Sequence, residues 1–167
     1  VIDRYGTAGM AAVFDLEDDG VMPKLVFSQL HPLPGGQCKF CIVYDDPSKL
    51  YWMASNLPAN SQGWVETPDN LPKGNDRRIL MLWYACDALN WFPAGCIAHT
   101  TRLTEAFMYP SLVVDGDDLA ILSRTSKRVE GLQEENRAKN GFHDANFLTF
   151  HRVKDFRALA LDIFPRA

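Results

Sequence analysis

The sequence predicts an all-β fold, a partial β-propeller of two four-stranded antiparallel blades preceded by part of another blade. Three observations predict it. The second half of the chain repeats the first at low identity: Leu50-Tyr51-Trp52-Met53 aligns with Leu119-Ala120-Ile121-Leu122, and Leu80 to Trp91 aligns with Asn146 to Leu159. The offsets agree, at 69 residues for the first pair and 68 between Asp87 and Asp155. The apolar residues come in short runs, without the three-and-four spacing of an amphipathic helix, and clusters of Asp, Gly, Pro, Ser and Asn punctuate them. A repeat of this period built from such runs is how a radial array of small antiparallel sheets is written in sequence.

The elements follow in order. Residues 1–30 read as the remnant of a preceding blade and a connection, with Ala11 to Phe14 and Leu25 to Phe27 as strands flanking the acidic turn Glu17-Asp18-Asp19-Gly20. Residues 31–100 form a blade. It opens with a hairpin, Lys39 to Tyr44 and Lys49 to Ala54, closed by Asp45-Asp46-Pro47-Ser48, a turn cluster with proline at a permitted position. Leu57 to Asn75, rich in Pro, Asn, Gly and Ser, reads as a long loop; Arg78 to Tyr84 is a buried strand, and a turn at Asp87 to Asn90 leads to a fourth strand ending near Ala98. Residues 101–167 repeat the plan. Ser111 to Val114 and Leu119 to Ser123 flank Asp115-Gly116-Asp117-Asp118, Lys127 to Asn140 is a charged, solvated insertion, and Asn146 to Arg152 and Phe156 to Leu161 complete the unit.

Composition bounds the function. The 167 residues are 47% apolar and 23% charged, and no apolar stretch is long enough to span a bilayer. A net charge of −4 argues against nucleic acid as a partner, because phosphate-binding surfaces concentrate Lys and Arg. The chain starts at Val1 with no charged-then-apolar leader, so the reading favours a piece of a longer protein. No cofactor is implied. Cys38-Lys39-Phe40-Cys41 has CxxC spacing, but it lies in a run read as strand, where residues three apart face opposite ways, and no second pair completes a zinc set. The four cysteines therefore read as buried free thiols rather than metal ligands.

The segment Tyr84-Ala85-Cys86-Asp87-Ala88-Leu89-Asn90-Trp91 resembles a degenerate Asp-box, the Ser-x-Asp-x-Gly-x-Thr-Trp turn of sialidase-type propeller blades. Ala stands for the Ser, the Gly is missing, and Asp to Trp is one residue short. The physical part survives: Asp87 is placed to accept backbone N–H bonds within the turn while Trp91 packs between neighbouring sheets. Pro34-Gly35-Gly36, Met108-Tyr109-Pro110-Ser111-Leu112, Leu119 to Thr125 and Phe147 to Arg152 extend the likeness. From about His31 onward the chain resembles the C-terminal portion of bacterial exo-sialidase-like proteins of the BNR or Asp-box type. That resemblance implies a propeller of about six blades with the N-terminal ones outside this chain, a glycan or sialoside as substrate, and a secreted or periplasmic location.

Propeller geometry sorts the polar residues. In each blade the start of the innermost strand, the end of the second and the start of the third share one rim. Here those junctions are His31 to Gln37, Asn56 to Arg78, Glu105 to Tyr109 and Arg124 to Asp144, so Arg77, Arg78, Glu105, Tyr109, Arg124, His143 and Asp144 lie on it. The acids of the Asp45-Asp46, Asp87, Asp115 and Asp155 turns fall on the other face and read as turn formers. A guanidinium fork binds a sugar carboxylate bidentately, which makes Arg124 and Arg78 substrate-binding candidates, although a structural pairing of Arg124 with Asp144 or a rim Glu is an equal reading. The resemblance implies that Tyr109 is the nucleophile, since sialidases use a tyrosine, with Glu105 taking its proton. His143 and Asp144 line the pocket or cap their loop, and Trp64, in a rim loop, is placed to stack on a pyranose. His151 reads as structural, and Trp52, Trp83 and Trp91 as packing between blades. The alternatives are a propeller glycosidase acting on neutral sugars and a non-catalytic glycan-binding propeller.

Overall fold

The computed structural model describes residues 9–59, 76–102, 105–127 and 144–162. These residues form nine strands in three antiparallel sheets, none of them closed on itself. No described helix is long and apolar enough to cross a membrane. The first sheet is a two-stranded hairpin of β1 (Met10–Glu17) and β2 (Lys24–Pro32). Its acidic turn closes itself: Asp18 accepts the Gly20 N–H at 2.9 Å, and Asp19 accepts those of Val21 and Met22 at 3.0 and 3.1 Å.

The second sheet runs in chain order through β3 (Cys41–Asp45), β4 (Leu50–Asn56), β5 (Ile79–Ala85) and β6 (Phe92–His99). The expected hairpin is present, with the Asp45 carboxylate accepting the Ser48 N–H at 3.0 Å and Lys49 in the left-handed region. β4 and β5 bury nearly every residue because both of their faces are covered. One face, with Trp52, Ala54, Leu80, Leu82 and Tyr84, meets Leu112, Leu119 and Ile121 of the third sheet in one core. The other face puts Met53 and Trp83 against Leu33, with Ala11 of β1 and Trp91 packed around them.

The turn after β5 has the expected chemistry. Asp87 accepts the Leu89 and Asn90 N–H groups at 2.9 and 2.8 Å, and Ala88 takes a positive φ between them. Trp91 leaves that turn into the cluster shared by the first two sheets.

The third sheet is β7 (Ala106–Asp115), β8 (Asp118–Ser126) and β9 (Phe147–Val153). Here the structure departs from expectation: Phe156 to Leu161 is not a fourth strand, and Phe156–Leu159 is a 3-10 turn. Asp155 enters the left-handed region at φ 46°, which breaks the extended path. Phe156 then turns fully inward, edge-on to Trp52 at 4.8 Å, where an extended strand would alternate away from the core. The loops expected at Leu57 to Asn75 and Lys127 to Asn140 lie mostly outside the described residues.

The cysteines correct another expectation. All four are free, but only Cys38 is buried; Cys41 is half-buried, and Cys86 and Cys96 are exposed. The reason is local: Cys86 follows the end of β5 and enters the Asp87 turn, and Cys96 lies on β6, the edge strand of its sheet.

Candidate functional site

The site is built around an irregularity in β7. Met108 pairs with Arg124 and Ser111 with Leu122, so β7 carries one residue more than β8 across that step. Such a bulge re-aims a side chain relative to the strand's alternation. It also accommodates Pro110, which has no N–H to give to a ladder. Tyr109 sits in the bulge at φ 50°, a left-handed conformation that is unusual for an aromatic residue.

Three cations surround the Tyr109 ring. Arg124 Cζ lies 5.0 Å from the ring centroid, Lys39 Nζ 5.2 Å and Arg77 Cζ 5.7 Å. They arrive from separate parts of the chain: Lys39 precedes β3, Arg77 precedes β5, and Arg124 lies near the end of β8. Arg77 is buried, Tyr109 half-buried and Arg124 exposed. Cation-to-ring approaches of this length are attractive. Burial pushes the Cys38 thiol pKa up, while the charge of Arg77 and a hydrogen bond from it act in the opposite direction.

The structure therefore brings together three residues of the expected rim, Arg77, Tyr109 and Arg124, and adds Lys39. Arg78 is committed elsewhere. Its Nε and Nη2 donate to Asp76 at 2.9 and 2.8 Å, and Asp76 is only 3% exposed. Burial raises the Asp76 pKa, but the Arg78 bonds outweigh it and hold the carboxyl below its ordinary value. Glu105 is buried and turned toward the preceding connection, where its Oε2 accepts from the Thr100 hydroxyl at 2.8 Å and its Oε1 from Arg102 at 3.4 Å.

Asp144 is half-buried and lies just before β9, at the end of the third sheet where Asn146 donates its N–H to the Thr125 carbonyl. Among the described residues no carboxylate forms an ion pair with Arg124. His143 and Trp64 lie outside the described residues. His151 bonds Thr149 at 3.0 Å and rests edge-on against Phe107, and burial lowers its pKa.

The turn acids sit at the opposite end of the sheets. Asp45 takes a two-point contact from Arg157, with both bonds at 2.8 Å, while Asp115 and Asp118 receive Arg152 at 2.7 and 3.1 Å. Among the described residues no three His, Cys, Asp or Glu side chains gather as a metal site would require. Comparisons with protein-family models, with curated proteins and with solved structures found no match.

Proposed function

We propose that this chain carries part of the active site of a sialidase-type glycoside hydrolase, with a terminal anionic sugar as substrate and Tyr109 as the nucleophile. The observation that carries the reading is the gathering of Arg77, Arg124 and Lys39 around the Tyr109 ring. A sialic acid, being a 2-keto sugar acid, bears a carboxylate on its anomeric carbon. Cations that bind this group hold that carbon next to the phenol, and a neutral phenol attacks without the repulsion that a second carboxylate would bring. The phenolic oxygen forms a bond to the anomeric carbon as the aglycone departs with a proton, and water then releases the sugar with retained configuration. Glu105, whose carboxylate bonds Thr100 and Arg102 in this structure, is the proton acceptor in this scheme. The proton donor to the aglycone belongs to a part of the protein outside the described residues.

The propeller reading supports the same assignment. Both larger sheets run in chain order, β7 packs against β3 and β4, and the site draws on strand junctions at one end of both sheets. A radial arrangement produces such a shared mouth. A glycan substrate outside the cell and a secreted or periplasmic enzyme follow from the family likeness.

Turnover of an aryl sialoside by the full-length protein, with inhibition by a planar, charged sialic-acid analogue, is the expected result. Tyr109→Phe should abolish turnover while the analogue still binds. Turnover of neutral aryl glycosides alone would select the neutral-sugar enzyme. Binding of glycans without any turnover would select the binding module.

A further inference from the structure

We infer that Asn56 is a positioning residue that locks Arg77 and the Tyr109 bulge into one site. Asn56 is the last residue of β4 and is fully buried. Its side-chain amide donates to the Phe107 carbonyl at 2.7 Å, to that of Ile79 at 3.2 Å and, more weakly, to that of Arg77 at 3.4 Å. Those carbonyls belong to the entry of β5 and to the residue two before Tyr109. The Phe107 N–H in turn donates to the Arg77 carbonyl at 2.9 Å. One amide thus fastens β7 of the third sheet to the paired strands β4 and β5 of the second, at the end where the cations meet the phenol.

The arrangement is unusual in what it leaves unmet. Among the described residues no donor reaches the Asn56 Oδ1, although that atom is buried. A buried acceptor without a partner is unfavourable, and an apolar side chain of similar size would avoid it. Such a side chain would also leave the Phe107 and Ile79 carbonyls without this donor, and those carbonyls set the path of the chain on both sides of the site. The loop above seals the position: a Cβ on Gly35 would fall 2.5 Å from the Asn56 carbonyl oxygen. Asn56 is therefore held in place and transmits that fixity to Arg77 and Tyr109.

The test uses the full-length protein and two readouts. Tyrosine nitration by tetranitromethane, mapped by peptide mass spectrometry, reports on Tyr109 with Tyr44, exposed at the other end of β3, as the internal standard. Asn56→Ala should change the Tyr109-to-Tyr44 ratio by about threefold or more and lower kcat/KM on the aryl sialoside by about tenfold or more, since small displacements of reacting groups are amplified in rate. Asn56→Ser, which keeps one donor, should fall between the two and serves if the alanine variant does not fold. A drop in melting temperature with the nitration ratio unchanged would overturn the inference and leave Asn56 a merely structural residue. The kcat/KM arm rests on the sialidase reading and the nitration arm does not: a shifted ratio in a protein without turnover keeps the positioning role and removes the sialidase.

Discussion

Replacing Arg157 with alanine asks how firmly the two larger sheets are latched at the end away from Tyr109. Arg157 contributes Nε and Nη2 to the two oxygens of Asp45, both at 2.8 Å, and Nη1 to Asp117 at 2.9 Å. Asp45 is only 2% exposed. The Arg157 hydrogen bonds are the largest influence on its carboxyl; burial opposes them, Ser48 assists, and the net result is a pKa of about 2 against an ordinary 3.8. That depression corresponds to about 2.5 kcal/mol of stability. The sign follows from the folded value lying below the unfolded one: the contribution is fully present above about pH 4 and is lost as pH falls through about 2. Arg157→Ala should therefore cost about 2–3 kcal/mol at neutral pH, a fall of roughly 5–10 °C in melting temperature for a chain of this size. Because the Arg157 side chain is 24% exposed, the lower part of that range is favoured. Urea denaturation across the acid range provides the assay. A variant within about 0.5 kcal/mol of the parent, or one that loses stability with acid as steeply as the parent does below about pH 4, would refute the latch.

Two other substitutions probe the packing that supports the site. Phe156→Ala empties a fully buried position against Trp52 and should cost about 3–5 kcal/mol, read by thermal denaturation. A loss below about 1 kcal/mol would show that the 3-10 turn does not plug the core as described. Gly36→Ala would place a Cβ 2.5 Å from the Met10 carbonyl oxygen and 2.9 Å from its carbon, so the first hairpin must move at a cost of about 1–3 kcal/mol. Faster hydrogen exchange of the Leu33 amide, which donates to Gly9 at 2.7 Å, is the accompanying sign, and an unchanged rate would show that the hairpin is not seated there.

Much of the strand order was legible in sequence because turns and alternation are local. Asp45-Asp46-Pro47-Ser48, the Asp87 turn and Asp115-Gly116-Asp117-Asp118 are each closed or flanked by strands where their chemistry requires. Phe156 to Leu161 misled for a non-local reason. Its apolar residues suit a strand, but the partner of Phe156 is Trp52, more than a hundred positions earlier, and the turn that delivers it depends on the backbone of Asp155. β7 begins at Ala106 rather than Ser111 for a similar reason: Tyr109-Pro110 reads as an opening, and only the bulge lets it lie inside a strand.

The strand ends that meet at Tyr109 were legible in sequence, but which side chains gather there was not. Tyr109 and Arg124 lie close together, yet neighbouring arginines cannot be separated by position alone. Asp76 captures Arg78, while the Arg77 guanidinium lies 5.7 Å from the Tyr109 ring centroid. Lys39 gave no comparable signal, since it stands between Cys38 and Phe40 in a run read as apolar.

Tyr109 itself presents a cost that a packing role would avoid. A bulky residue in the left-handed region costs on the order of 1–3 kcal/mol, and a glycine would occupy the same bulge without that strain. Asn56 bears on that strain, because its buried amide ties the entry of β5 to β7, the strand that holds the bulge.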